Sequence, residues 1–421
     1  MPRRACEAIP LEIAAPPIPA AGRSATTEKP LPAANCVQAA GEHLEGITPA
    51  RRGSPLVMPN DGDWRLTLPT HRLPVRVAAH LGCRSELGRQ ALFARSIGSP
   101  FVAAVLEAGQ RQLDQAPLTA DLIDNWQGDP ASSAMAMRFN AAIHALARSE
   151  EIPALSALYR CEHDDFDGAI AQALRQGDGR ILAAMAHPTQ TNEVGRAAAL
   201  LCALMVVQLQ TGMAFDLLEL GASCGLNLNL DHYDYALAGR QVGRAGSPVR
   251  VAPEWRGAPP PHAPVEIRSA RGVDLNPPDL DDPATADRML SYVWADQGAR
   301  LERLALALDL ARTHRPLVDR MDAGSWLGQR LAEPQSEGAC RVVLHSMMIQ
   351  YLATEERAVV EGAIRQAGEC ADARHPLAWI SFEWTQDRSE VRLLLTLWPD
   401  GSTRHLATCH PYGAWIDWLA D

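Results

Sequence analysis

The stretch Phe215-Asp-Leu-Leu-Glu-Leu-Gly-Ala-Ser-Cys-Gly-Leu-Asn227 constrains this chain more than any other. It reads as an apolar strand ending at Glu219, then a tight turn through Gly221, Ser223 and Gly225, then the start of a helix. Glycine lets the backbone turn sharply and approach a ligand closely, and the first amides of a following helix are free to donate. Such a succession belongs to an α/β sheet with its functional loops at one edge.

The texture of the chain changes near residue 213. Upstream, segments 86–97, 101–113, 133–148, 166–186 and 192–211 carry Ala, Leu and Gln at three-to-four-residue spacing. Breaks fall at Gly98-Ser99-Pro100, Gly128-Asp129-Pro130 and His187-Pro188. That spacing predicts helices and no strands. Downstream, 215–220, 265–273, 316–320, 340–345, 377–383 and 390–398 read as strands. Segment 296–312 reads as a helix with Leu301, Leu304, Ala305, Leu308 and Ala311 on one face. Alternation of the two kinds predicts βαβ units and a mostly parallel sheet. The last two strands lie too close for a crossover and predict an antiparallel hairpin. The expected fold class is α/β, a Rossmann-like sheet preceded by a helical region.

Residues 1–74 hold 12 of the 31 prolines, set among Ala, Gly and Ser. Such a composition buries little and is expected to stay unordered. The expected organisation is a tail over 1–74, a helical region over 75–212 that forms a lid or part of the acceptor pocket, and a sheet domain over 213–421. A net charge of −11 argues against a nonspecific nucleic-acid partner. Nine cysteines without a CxxC pair suggest neither a zinc cluster nor a disulfide framework. Free thiols in a reducing cytoplasm are expected. The longest apolar run, Ala197 to Val207, is well short of the roughly 20 residues that cross a bilayer. Arg3-Arg4 lacks the apolar stretch of an export signal, because Glu12 and three prolines interrupt it. No membrane partner is expected.

Alone, the glycine turn is a weak signal. Its sequel adds to it. A second strand ends in the acid Asp274, and an acid at that place in Rossmann-like sites accepts hydrogen bonds from ribose hydroxyls. The separation from Gly225 is longer than the usual ~20 residues, so a loop is inserted, and the proline-rich stretch 248–264 is its natural place. A third strand leads to Asp322 and Ala323, and a fourth ends at His345.

This order of motifs resembles that of class I S-adenosylmethionine-dependent methyltransferases. The resemblance implies S-adenosylmethionine as cofactor and methyl transfer to a small-molecule or protein acceptor. It places Glu219 and the backbone of Gly221, Ser223 and Gly225 at the methionine part, Asp274 at the ribose, and Asp322 with Ala323 beside the adenine. Ser223 stands where that family often has glycine. A second resemblance covers residues 80–421. It runs through Thr191-Asn-Glu-Val-Gly-Arg196, Leu218 to Asn227, Gly272 to Pro277, Tyr292-Val-Trp294, His345-Ser346, Gln350-Tyr-Leu352 and Gly413 to Trp418. These are similar to the bacterial domain-of-unknown-function family 2332, which implies one evolutionary unit and leaves the function open. Val273 and Tyr412 depart from its pattern, where cysteine and histidine are expected.

Around this site, His345 is the candidate base, since imidazole exchanges protons near neutrality. Glu193 is the second candidate catalytic group. Asn192, Arg196, Gln350 and Tyr351 are candidate acceptor contacts. Thr191 or Asn192 capping the next helix, with Glu193 favouring its dipole, is the competing reading. A protein that keeps the pocket without the chemistry also fits. Gly221-Ala-Ser-Cys-Gly225 further spells G-x-S-x-G, the nucleophile elbow of serine hydrolases. Ser223 would then attack, with His345, His405 or His410 as base and Asp322 as orienter. The helical region upstream and the lack of an oxyanion loop count against it. The missing G-x-G-x-x-G counts against a nicotinamide dinucleotide. The Glu162 to Asp167 acidic run reads as a solvated helix start, and no metal is expected.

Overall fold

The computed structural model describes residues 83–190 and 192–420. The tail expected over 1–74 and Thr191 lie outside the described residues.

Helices α1 (Ser85–Ser96), α2 (Pro100–Gln112), α3 (Pro117–Asp124), α4 (Met135–Arg148), α5 (Pro153–Tyr159) and α6 (Phe166–Met185) pack around Leu87, Leu106, Phe139, Ile143 and Leu174. The sequence reading misses α3 and α5. Each starts on a proline and is too short for a helical period to show.

A 3₁₀ turn, Val194–Arg196, leads into α7 (Ala197–Thr211). This helix is apolar on every side, so it must be covered all round. It packs with Phe215, Leu217, Leu344 and Phe382 in the core of the large sheet, away from the core of α1–α6. Val194–Thr211 is long and apolar enough to cross a membrane, and 78% of it is buried in this core.

Then follow β1 (Ala214–Leu220), β2 (Asp234–Leu237), β3 (Arg240–Gly243), β4 (Arg250–Val251), β5 (Glu254–Gly257) and β6 (Ile267–Asp274). After them come α8 (Pro283–Tyr292), α9 (Gly298–Thr313), β7 (Val318–Arg320), α10 (Ala323–Ala332), β8 (Ala339–Ser346) and α11 (Thr354–Glu369). The chain closes with β9 (Leu377–Trp384), β10 (Val391–Trp398), β11 (Ser402–Cys409) and β12 (Trp415–Trp418). The large sheet has the order β5-β12-β11-β10-β9-β8-β1-β6-β7. From β7 through to β9 every pairing is parallel. Numbered among themselves, these five strands run 3-2-1-4-5. Strands β9 to β12 form an antiparallel meander, and β5 joins β12 in parallel.

The six strands read from the sequence are all present. Three expectations need correction. The glycine turn leads into a 3₁₀ segment, Leu226–His232, interrupted at Asn229, and not into an α-helix. The inserted stretch is not a plain loop: β2, β3 and β4 form a small separate sheet, and β5 edges the large one. The terminal hairpin of β9 and β10 continues into β11 and β12. Strands β2 to β5 and β12 escape the sequence reading because they span four residues or fewer, too few for alternation to register, and β11, with eight residues, escapes it as well.

Central parallel strands are covered on both faces and carry apolar residues at nearly every position. In β1, Phe215 and Leu217 face α7, while Leu218 and Leu220 face α10 and α11. This parity decides which site residues can meet.

Candidate functional site

The strand order reverses at β1: β6 lies on one side and β8 on the other. Open α/β sheets bind ligands at the carboxyl edge of such a reversal. The glycine turn stands there. Gly221 and Gly225 take φ of 65° and 82°, and a Cβ on either would meet Met348 at 2.7 Å or Pro316 at 2.5 Å. Ser223 holds φ of 54° without being glycine, a conformation that costs about 1 kcal/mol or more. The end of β6 pins the turn. The Ser223 amide donates to Asp274 Oδ2 at 2.9 Å, and the Ala222 amide to the Val273 carbonyl at 3.0 Å.

Glu219 ends β1 on the α7 face and is 1% exposed. Its Oε1 accepts from Asn227 Nδ2 at 3.0 Å, and its Oε2 has no partner. Burial pushes its carboxyl up to about 8; the Asn227 bond and Arg196 oppose this, and Asp274 adds to it. Asn227 Oδ1 and Asn192 Oδ1 are also buried and unpartnered. Three acceptors without donors thus surround one turn.

The segment before α7 lies over the turn. Asn192 Nδ2 donates to the Ala222 carbonyl. Gln190 accepts from the Ser223 hydroxyl and donates to the Asn276 carbonyl at 2.9 Å and to Asp274 Oδ1 at 3.4 Å. Arg196 is buried and donates to the carbonyls of Pro411 at 2.9 Å and Ser346 at 3.4 Å. Glu193 is buried too. It accepts from the Gly195 amide at 2.9 Å and pairs with Arg300, with Arg303 at 3.7 Å. Burial alone would raise its pKa; Arg300 and Arg303 outweigh this and hold it below the ordinary carboxylate value. A carboxylate so saturated is a weak base and a strong clamp. The clamp continues into the C-terminal segment. Arg300 lies 3.8 Å over the Tyr412 ring, and a Cβ on Gly413 would fall 2.3 Å from the Gly195 carbonyl carbon.

His345 does not join this group. Leu220 is its partner in the ladder, so it shares the α11 face, opposite to Glu219. Its ring is 1% exposed and both nitrogens are used. Trp379 Nε1–H donates to Nε2 at 2.9 Å, which assigns the proton to Nδ1, and Nδ1 donates to Glu383 Oε1 at 2.8 Å. The same oxygen accepts from the amides of Met348 and Ile349 at 3.0 and 3.3 Å. Gln350 lies near His345 and Glu383 around one cavity. Tyr351 is 61% exposed. Asp322 is exposed and caps α10 through the Ser325 amide at 2.8 Å, and Ala323 packs on the α10–α11 core.

Ser223 has the strained backbone of an elbow but no base. Its hydroxyl meets Gln190, while His405 Nε2 is bonded to the Ala407 carbonyl at 3.0 Å and His410 Nδ1 accepts from the Tyr412 amide at 3.1 Å. The sequence reading overlooks Gln190 and Glu383. No periodic pattern marks Gln190. Glu383 was detectable, because Trp379, Ser381 and Glu383 alternate with Ile380 and Phe382.

Fold and site together define a mixed α/β protein with a large sheet whose strand order reverses at a glycine turn. Residues 84–418 match the model of the family described as uncharacterized protein conserved in bacteria (DUF2332), and the chain belongs to that family. No curated protein and no solved structure matches it. Asn192 to Arg196, the glycine turn, Ser346 and Gly413, all within the segments that carry the family resemblance, come together at this one edge.

Proposed function

We propose that the protein binds S-adenosylmethionine at the carboxyl edge between β1 and β8 and transfers its methyl group to a small-molecule or protein acceptor. The observation that carries this reading is Glu219, a buried carboxyl with an unpartnered oxygen at the end of the first strand of a 3-2-1-4-5 sheet. The orphaned oxygens of Glu219, Asn227 and Asn192 suit an ammonium group, which brings three N–H donors. Asp274 accepts three bonds from Ser223, Asn276 and Gln190, out of about four lone-pair sites, so it keeps capacity for a ribose hydroxyl. The 3₁₀ segment after the turn also favours this ligand. A dinucleotide seats its pyrophosphate on an α-helix N-terminus, whereas S-adenosylmethionine carries no phosphate to seat.

When bound, the cofactor supplies an electrophilic methyl group on sulfur. The chain's part is positioning. Glu219 and Asn227 orient the amino end, Asp274 the ribose, and Gln190 and Asn192 cover the turn. A binding protein without chemistry is the second reading, favoured by the saturation of His345 and Glu193. Titration calorimetry of the full chain with S-adenosylmethionine and S-adenosylhomocysteine tests the proposal, with Asp274→Ala and Glu219→Gln alongside. Binding should weaken in both variants. At pH 7 the wild type should release a proton from Glu219, seen as an enthalpy that varies with buffer. Absence of wild-type binding overturns the assignment.

A further inference from the structure

A cleft of about 520 Å³ opens on the α11 side of the sheet. It lies between α11 and the outward faces of β9, β10 and β11, beginning at the carboxyl end of β9. Its volume is that of a small-molecule site.

The charge of the cleft runs against that of the chain. The chain carries −11, yet Arg357, Arg365, Arg388 and Arg392 line the cleft against Glu361 and Glu383. Two of these arginines are already matched: Arg357 pairs with Glu361 at 2.7 Å, and Arg392 with Glu390. Arg365 reaches Glu361 only at 3.9 Å and lies 5.3 Å over the Trp379 ring. Arg388 has no ion pair among the described residues. The charge of Glu383 is met by the His345 N–H and two backbone amides. The unmatched charge is therefore positive. Trp379 gives the wall flat apolar surface, and the Ser381 hydroxyl has no partner among the described residues.

We propose that this cleft binds a small aromatic molecule bearing one negatively charged group. The anion sits at the rim with Arg365 and Arg388, and the ring packs beside Trp379. Arginine suits such an anion because its planar fork donates two parallel bonds to a carboxylate or phosphate. The site stands on the opposite face of the sheet from Glu219 and needs no cofactor. It is therefore a second site, apart from the proposed cofactor pocket.

Calorimetric titration of the full chain, with no S-adenosylmethionine present, separates the two. The probes are 4-hydroxybenzoate and phenyl phosphate, with 4-hydroxybenzyl alcohol as the neutral control. At least one anion should bind, and the alcohol about tenfold more weakly. Arg365→Gln and Arg388→Gln should each weaken the anion by about tenfold, since a charge-assisted bond is lost at an exposed position. Ser381→Phe fills the cleft and should abolish binding while a thermal melt shows the native fold. Failure of both anions to bind by about 10 mM, a dissociation constant weaker than any useful site, overturns the proposal. So does equal binding of the neutral probe, or undiminished binding by a folded Ser381→Phe. Anion binding alongside failed S-adenosylmethionine binding upholds the cleft and removes only the cofactor reading.

Discussion

Replacing Glu219 with glutamine should make the protein more stable, by an amount that depends on pH. In the folded chain the Glu219 carboxyl is raised from 4.5 to about 8, chiefly by burial. Between those values the native state holds a proton that the unfolded state has lost. Stability is therefore fully present below pH 4.5 and falls as pH rises through 8. At pH 7 the unfolded chain gains about 3 kcal/mol by ionising this group, and above pH 8 the gain levels at about 5 kcal/mol. Glutamine has nearly the same shape, can still accept from Asn227, and does not ionise. The advantage of Glu219→Gln over the wild type should thus climb with pH: small at pH 5, about 3 kcal/mol at pH 7, and nearly flat beyond pH 8. Urea unfolding followed by tryptophan fluorescence at pH 5, 6, 7 and 8 gives that difference directly. A difference that stays constant from pH 5 to 8 would mean that Glu219 is ionised in the native state, and the argument from burial would be refuted.

Other outcomes follow from the same geometry. Gly413→Ala should cost about 3 kcal/mol or more, because φ is 68° there and the new Cβ falls 2.3 Å from Gly195 backbone; a melting temperature equal to wild type would contradict it. His144, buried in α4 with Nδ1 at 3.1 Å from the Ser291 carbonyl, is pushed down to about 4 by burial first and then by Arg148. Stability tied to it is complete above pH 6.5 and lost as pH falls toward 4, by about 3 kcal/mol, and His144→Gln should remove that part of the acid sensitivity in urea titrations at pH 7 and 4.5. Glu193→Ala leaves Arg300 and Arg303 without their partner and should cost about 3–5 kcal/mol, measured by chemical denaturation; a change within 1 kcal/mol or so would show the clamp to be dispensable. A fluorophosphonate should leave Ser223 unlabelled, and labelling located there by mass spectrometry would bring the hydrolase reading back.

Much of this architecture was legible in the chain. Residues with strong periodicity gave themselves away: the long helices, the six strands with a clear apolar run, and the acids at the ends of β1 and β6. Many of the elements that escape are short, although β11 and α11 are not. A four-residue strand such as β5 exists because β12 offers it a ladder, and nothing local announces that partner.

The sequence by itself determined the long N-terminal helices, the six apolar strands and the glycine turn with a carboxyl beside it, because spacing and residue type are local properties. Only the tertiary structure decided which of the named residues share a site. Leu220 and His345 are ladder partners, and one step along β1 places Glu219 on the other face. That step separates the proposed base from the turn, and long-range pairing alone settles it.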